Sequence, residues 1–196
     1  MLHALIKLWD REFILNRATY AVIGAVSLVA LTVAGAYIRI PLPFTPVPIT
    51  LQTFFVLLAG ALLGKKLGSL SQAGYLLIGI FGVPVFTGGL YGFARLFGPT
   101  GGYLMGFVLA AYVIGKLLGN DNDAPFTKIV ATMLVGLALL FTLGTIQLAL
   151  VMHISLEKAV ALGVLPFLPG DIIKLFAAAT LYQRVQKQAR ALYPNP

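Results

Sequence analysis

The sequence alternates apolar stretches that are long enough to cross a lipid bilayer with short polar turns. The first stretch, Ala18 to Ile38, has 21 residues, and about 20 residues span the hydrocarbon core as a helix. Only 10% of the 196 residues are charged, whereas roughly a quarter are charged in soluble domains. Lipid must cover most of such a surface, so the chain is predicted to be an all-α integral membrane protein.

Six apolar stretches predict six transmembrane helices with ordered outer loops, in a single domain over residues 1–196. Residues 1–16 place apolar side chains at helical spacing among charged ones, which predicts a helix lying on the membrane surface. The second and third stretches are short, so these spans are expected to be tilted or shielded by protein. The expected spans are approximately 18–38, 49–63, 68–81, 103–118, 127–153 and 171–192.

The basic residues predict the orientation of the chain. When sides are assigned by alternation over six spans, ten Lys and Arg residues share the side of the termini and four lie on the other side. Positive charge accumulates in cytoplasmic loops, so we expect a multi-pass protein of the cell membrane with both termini in the cytoplasm. The same rule accounts for the net charge of +8 without a nucleic-acid partner.

The sequence does not favour an enzyme. It has no cysteine, which excludes disulfides and thiolate metal sites. Gly60 to Lys66 is similar to a phosphate-binding loop, but three residues separate its glycines where four are required, and Lys66 stands where Ser or Thr is needed. We therefore expect no catalytic residue, no metal and no resident cofactor.

Three irregular segments, 39–48, 82–102 and 163–171, fall on the outer side in this topology. The first carries four prolines, which predict extended backbone of the polyproline type folded over something apolar. The second holds seven glycines, which allow backbone to approach a ligand closely. Irregular backbone at membrane depth is tolerated where it lines a cavity, so these segments are expected to enclose one.

Asp171 and Lys174 are the candidate polar centre of that cavity. Pro166 and Pro169 disfavour a regular helix before Gly170, so the last helix is predicted to begin near Asp171, whose carboxylate could cap the first-turn amides. Lys174 follows three residues later on the same helix face. A helix cap and a ligand site are both open interpretations of this pair, and the two are compatible.

Two arginines could add positive charge to the cavity. Together with Lys174 they would set three positive charges against one acid, which suits an anionic ligand. Arg39, at the end of a span, is more simply explained as an interfacial anchor, whereas the position of Arg95 inside a glycine-rich apolar loop favours a functional role. Gln52 and Thr53 could bind a ligand or cap a helix.

Four motifs in this order along the chain resemble the BioY family, the biotin-binding membrane components of energy-coupling factor importers. The resemblance covers about residues 17–190. It implies a six-helix bundle of the type found in the S components of these importers, with a biotin pocket near the outer surface that is closed by the loop after the first helix. The motifs are Pro46-Val-Pro-Ile-Thr-Leu-Gln52, Gly82-Val-Pro-Val-Phe86 with Gly88-Gly89, Gly98-Pro-Thr-Gly-Gly-Tyr-Leu104, and Leu165-Pro-Phe-Leu-Pro-Gly-Asp-Ile-Ile-Lys174.

The resemblance also implies roles for individual residues. Asp171 would accept hydrogen bonds from the ureido N–H groups of biotin, and Lys174 or Arg95 would hold its carboxylate. A transmembrane coupling protein would dock on the small residues of the first helix, although their four-residue spacing also fits ordinary helix packing, and two cytoplasmic ATPases would supply the energy. The ligand-binding candidates are Asp171, Lys174, Arg95, Gln52, Thr53, Tyr91, Gly89 and Tyr103; the lid candidates are Pro43, Phe44, Pro46 and Pro48; the docking candidates are Ala21, Ala25, Ala30 and Ala34.

The predicted function is therefore the capture of extracellular biotin by the membrane subunit of an ATP-driven importer. The alternative is a stand-alone carrier of biotin or another organic anion, coupled to protons through Asp171. A membrane enzyme or scaffold is a third and more distant class. Tyr91 and Tyr103 equally suit an aromatic belt at the membrane interface.

Overall fold

The computed structural model describes residues 17–121 and 123–193, and the surface helix expected at residues 1–16 lies outside them. Within these ranges the chain is mostly helical, and a two-stranded ribbon and a 3-10 helix connect some of the helices. The elements are α1 (Arg17–Tyr37), β1 (Arg39–Ile40), β2 (Ile49–Thr50), α2 (Gln52–Ile80), a 3-10 helix (Phe93–Phe97), α3 (Gly101–Leu118), α4 (Phe126–Met152), α5 (Leu156–Gly163) and α6 (Leu168–Leu192).

Helix α2 reverses direction at Gly64. This residue has φ 77° and ψ −176°, a conformation that is essentially restricted to glycine. Gln52 and Tyr75 are hydrogen-bonded at 2.8 Å, yet they would lie ~34 Å apart in one straight helix. Residues 52–63 and 65–80 therefore run antiparallel, and the reversal falls at the gap between the expected spans 49–63 and 68–81.

By length and hydropathy, four of the described helices can cross a membrane, namely α1 from Thr19, α2, α3 and α4. Helices α5 and α6 pass the same test only as a pair, and they are bent by 57° at the turn between them. The number of crossing helices is thus four, or five if the bent pair forms one span. Helix α2 is one of these four helices, although its chain reverses at Gly64.

Helix α3 lies between α2 and α4, and glycines allow the close approach. A Cβ atom added to Gly106 would lie 3.0 Å from the backbone of Leu140 in α4, and Gly115 abuts the backbone at the α2 reversal. Helix α1 packs on α2 and leaves Val22 and Val26 exposed on its other side. An exposed apolar face of this kind suits contact with lipid.

The last helix begins earlier than the sequence predicts. Helix α6 starts at Leu168, and the irregular turn covers only residues 164–167, because proline is tolerated in the first turn of a helix, where its missing N–H has no intrahelical partner. The prediction that Asp171 caps the helix is wrong. Its own N–H donates to the Phe167 carbonyl at 2.9 Å, and its carboxylate accepts hydrogen bonds from Thr53 and Lys174.

The proline-rich segment after α1 is a short ribbon rather than one extended strand. Strands β1 and β2 are antiparallel, with Arg39 opposite Thr50 and Ile40 opposite Ile49. The pairing closes residues 41–48 into a loop whose Val47 side chain is buried. The four prolines lie outside the paired residues, so they do not interrupt the hydrogen bonds between the strands. For this reason the number of prolines in the segment did not predict the pairing.

Candidate functional site

A cavity of about 160 Å³ lies at one end of the bundle. One water occupies roughly 10–15 Å³ on this measure, so the cavity has room for on the order of ten waters or one small organic molecule. Its walls come from the ribbon and its loop, the stretch between α2 and α3, helix α4, the first turn of α2, and the first two turns of α3 and α6. The three irregular segments singled out in the sequence thus meet around one cavity.

Asp171 and Lys174 form an ion pair in the wall of this cavity. The Lys174 Nζ atom lies 2.6 Å from Asp171 Oδ1, and their side chains are only 14% and 4% exposed. The helical spacing of three residues brings the two groups together. Nζ also donates to the Thr50 carbonyl oxygen at 2.6 Å and lies 3.4 Å from Thr53 Oγ1. An ammonium has three donors, and all three therefore have protein acceptors.

Thr53 completes the environment of the Asp171 carboxylate. Its hydroxyl donates to Oδ1 at 2.8 Å, the same oxygen that accepts from Lys174. Within the described part of the chain, Oδ2 accepts no hydrogen bond from protein. Both of these donors meet Oδ1, so Oδ2 keeps lone pairs that can accept a hydrogen bond from an N–H group of a ligand.

Gln52 fixes the loop between α2 and α3 against the cavity floor. Its Nε2 donates to Tyr75 Oη at 2.8 Å, and its Oε1 accepts from Thr87 Oγ1 at 2.9 Å. Tyr75 in turn donates to the Val85 carbonyl at 3.2 Å. The NH₂ group and the carbonyl oxygen of Gln52 are thus both bonded to protein groups. The side chain lines the cavity and also holds Tyr75 and Thr87 in position.

Arg95 lines the cavity from the 3-10 helix. The backbone around it is held by Gln147 of α4, whose Nε2 donates to the carbonyl oxygens of Leu96 at 2.6 Å and Gly98 at 2.8 Å. The sequence prediction missed Gln147. Its signal is an amide within the apolar C-terminal part of a span, because such a polar group inside a membrane needs a partner.

Five aromatic residues form a large part of the apolar wall. Tyr103 is buried, lines the cavity and donates its hydroxyl to the Gly163 carbonyl at 2.8 Å. The sequence prediction missed the other rings, because phenylalanines are frequent along a membrane chain and periodicity does not separate those that face a cavity from those that face lipid. These rings are Phe86, Phe107, Phe141 and Phe167.

Several candidate residues lie away from the cavity wall. Tyr91 is 60% exposed, because the bridge between Phe86 and Leu90 ends a tight turn just before it and directs it outward. Gly89 occupies that turn with φ 72° and donates its N–H to the Phe86 carbonyl. Of the lid candidates, Pro46 and Pro48 line the cavity, whereas Pro43 and Phe44 do not.

Arg39 lines the cavity, although the sequence favoured an interfacial anchor. The residue begins strand β1, and its guanidinium lies directly over the α-carbon of Gly88. No local sequence signal connects the two positions, which are 49 residues apart. The ribbon, which sequence analysis did not predict, carries this side chain to the cavity mouth.

The four alanines proposed for docking do not share one face of α1. Ala25 and Ala30 are five residues apart, which turns the second pair to the opposite side of the helix from the first. Ala30 and Ala34 are exposed beside Val26, whereas Ala21 and Ala25 are half-buried. The exposed face therefore carries only the pair Ala30 and Ala34.

Apolar walls with a few convergent polar groups, inside a bundle of membrane-spanning helices, define a membrane protein with a small-molecule site. Comparison with known protein families identifies the family within this class. The chain belongs to the BioY family, whose model matches residues 10–191.

Curated relatives and a solved structure agree with this assignment. The biotin transporter BioY of Thermotoga maritima is 45% identical over 81% of this chain and 90% of its own length. The probable biotin transporter BioY of Pyrococcus horikoshii is 42% identical over 81% of this chain and 91% of its own. The crystal structure of an S component for biotin from an ECF-type ABC transporter matches with a TM-score of 0.82 and 29% identity, over 88% of this chain and 95% of that one. These relatives are named as transporters rather than enzymes.

Proposed function

We propose that this protein is the biotin-binding membrane subunit of an energy-coupling factor importer, which captures extracellular biotin for ATP-driven uptake. The observation that carries the proposal is the buried Asp171, whose Oδ1 is held by Lys174 and Thr53 while Oδ2 remains available. A ureido group presents N–H donors, and an ionised carboxylate is the matching acceptor. The likeness to the biotin transporters and to the biotin S component supports the same ligand.

The rest of the ligand fits the other walls of the cavity. The rings of Phe86, Phe107 and Phe141 provide an apolar surface for the fused rings and the alkyl chain of biotin. The positive charges of Arg39 and Arg95 at the wall match its carboxylate. Residues 41–48 form the lid, with Val47 as its buried contact with the bundle.

In this proposal the bundle has six membrane spans, namely α1, the two antiparallel halves of α2, α3, α4 and α6. The cavity end carries four basic residues within the described chain, Arg39, Arg95, Lys158 and Lys174. The opposite end, marked by the α2 reversal, has more positive charge, so the positive-inside rule directs the cavity outward and the termini toward the cytoplasm. The basic residues of the opposite end are Lys65, Lys66, Lys116, Lys128, Arg184, Lys187 and Arg190.

The proposed partners are a transmembrane coupling protein and two cytoplasmic ATPases. The exposed pair Ala30 and Ala34 on α1 is the docking surface, because small residues let another helix approach closely in a bilayer. Exposed Ile23 and Val26 flank the pair and supply apolar contact.

Uptake into vesicles tests the proposal against a proton-coupled carrier. Vesicles that contain the full chain with its coupling protein and ATPases should accumulate labelled biotin only when ATP is supplied. Vesicles that contain the chain alone should bind biotin but show no accumulation under an imposed proton gradient. Accumulation driven by the gradient in the absence of the ATPases would overturn the importer proposal in favour of the carrier.

A further inference from the structure

The exposed face of α6 at the end opposite the cavity carries an arginine that the protein leaves without a counter-charge. Arg184 is exposed and forms no salt bridge with a described residue. Asp121 and Asp123, the acids at this end of the described bundle, are paired with Lys128 and Lys187. An unpaired cation at the edge of a membrane is costly, so a counter-charge from outside the chain is expected.

Contacts with the turn before α4 place Arg184 at the membrane boundary. The Gln186 carboxamide accepts a hydrogen bond from the Ala124 N–H at 3.1 Å and donates one to the Ala124 carbonyl at 3.4 Å. Ala124 directly precedes the start of α4, which is long and apolar enough to cross a membrane. Residue 186 is thus level with the end of a span, and Arg184 lies about 3 Å closer to the membrane interior along α6. A long basic side chain at this depth extends to the level of the lipid headgroups.

An open apolar groove leads from Arg184 toward the middle of the membrane. Its volume is about 410 Å³, and one face of α6 lines it with Phe176, Ala177, Thr180, Leu181 and Arg184. The small side chains of Ala177 and Thr180 form its floor between the larger, exposed Phe176 and Leu181. Eight residues separate Phe176 from Arg184, which is about 12 Å of helix. The groove therefore combines an apolar strip with a cation at the end where lipid headgroups lie.

Helix α4 holds the groove face of α6 in place. The rings of Phe126 and Phe176 pack with their centroids 6.4 Å apart and their planes 31° apart. Phe126 is the first residue of α4, and the Gln186 hydrogen bonds engage the turn just before it. Because two contacts fix this face, little side-chain freedom is lost when a molecule binds there.

We propose that this groove binds an anionic phospholipid, with the phosphate on the Arg184 guanidinium and an acyl chain between Phe176 and Leu181. A guanidinium presents paired N–H donors that match two oxygens of a phosphate, and basic residues near a membrane surface attract anionic lipids. In the orientation proposed above, the site faces the cytoplasmic leaflet. The inference concerns lipid and does not depend on the ligand of the cavity.

The test measures which lipid lies in the groove by tryptophan fluorescence. W9F removes the single tryptophan of the chain, and F176W then places one probe in the groove of the full-length protein. This protein is reconstituted in mixtures of phosphatidylglycerol and phosphatidylcholine in which either lipid carries bromine on its acyl chains, since bromine quenches a tryptophan that it contacts. We expect phosphatidylglycerol to be preferred about fivefold, the contribution of one arginine near a membrane surface. R184Q in the same background should abolish the preference, and R184K should keep part of it.

A second probe separates the groove from general attraction to a basic surface. L134W lies on the exposed surface of α4, ten residues from Ala124, as Phe176 is ten residues from Gln186. The two probes therefore lie at a similar depth, and L134W should show no preference.

Three results would overturn the inference: no preference at F176W, an equal preference at both probes, or a preference at F176W that survives R184Q. R184Q should bind biotin as the unmodified protein does, which shows that the variant is folded. Loss of the lipid preference thus leaves the proposed function intact, whereas failure of the unmodified protein to bind biotin would refute the proposed function alone.

Discussion

The Lys174 ammonium donates a hydrogen bond to the carbonyl oxygen of Thr50 at 2.6 Å. This contact joins the second turn of α6 to the ribbon that follows α1, across 124 residues of sequence. The same ammonium forms the ion pair with Asp171. Lys174 therefore connects the charged pair of the cavity to the ribbon from which the lid loop extends. Changes at the ion pair are therefore expected to affect the lid as well.

Replacement of Lys174 should destabilise the protein strongly. K174M leaves the Asp171 carboxylate buried without its cation, and removal of one partner from a buried ion pair costs about 3–5 kcal/mol. The measurement is the thermal unfolding of the purified protein in detergent, together with biotin binding.

The exposed pair of Asp121 and Lys128 provides the matched control for K174M. Its Nζ to Oδ2 distance is 2.9 Å, and the hydrogen bond from Lys128 lowers the pKa of Asp121 from its ordinary value. That pair would lose its contribution to the stability of the fold only as the pH falls through the lowered pKa of Asp121. The contribution is small in any case, because solvent screens exposed ion pairs. K128M should have little effect at neutral pH, and equal losses in K128M and K174M would contradict the account.

Removal of the Thr53 hydroxyl should weaken biotin binding. T53V deletes the donor to Asp171 Oδ1, and a hydrogen bond to a charged group contributes about 1.5–3 kcal/mol, so we expect binding to weaken by about tenfold or more. T53S keeps the hydroxyl and should bind almost as the unmodified protein does. If T53V and T53S bind equally well, the hydroxyl does not position the carboxylate. Isothermal titration measures both affinities.

The sequence predicted contacts that depend on local spacing. Asp171 and Lys174 are three residues apart, so a helix alone brings them together. The predicted start of α6 was too late because proline was treated as a residue that breaks helices. Pro169 instead lies in the first turn of α6, where proline is tolerated. Thr53 meets Asp171 across 118 residues, and Gln147 meets Leu96 across 51. Such pairings depend on packing of the whole bundle, which periodicity does not specify.

Substitution of Gly64 should destabilise the reversal in α2. G64A forces a side chain into the conformation with φ 77°, which costs about 1–3 kcal/mol. Gly74 in the same helix is the matched control, because a Cβ there would be 3.8 Å from the Val29 side chain. Thermal unfolding of G64A should occur at a lower temperature than that of G74A. A G64A protein as stable as G74A would show that the chain does not need glycine at the reversal.

Enlargement of the exposed alanines on α1 should separate uptake from binding. A34L places a bulky side chain on the proposed docking face, and overpacking of an interface costs about 1–3 kcal/mol, or roughly 5- to 150-fold in affinity for the coupling protein. ATP-driven uptake in vesicles should fall accordingly while biotin binding in detergent is unchanged. L134F, on the exposed surface of α4, is the control and should retain uptake. Full uptake by A34L would place the docking surface elsewhere.

Equilibrium binding of labelled biotin to the purified full-length chain and to D171N tests the central claim most directly. The unmodified protein should bind biotin saturably, and D171N should bind at least about 30-fold more weakly, because truncation of a buried hydrogen-bonded charge costs about 2 kcal/mol or more. D121N, at the opposite end of the bundle, should bind normally, and circular dichroism should show that D171N remains helical. Unchanged affinity in folded D171N would contradict the assignment of the site.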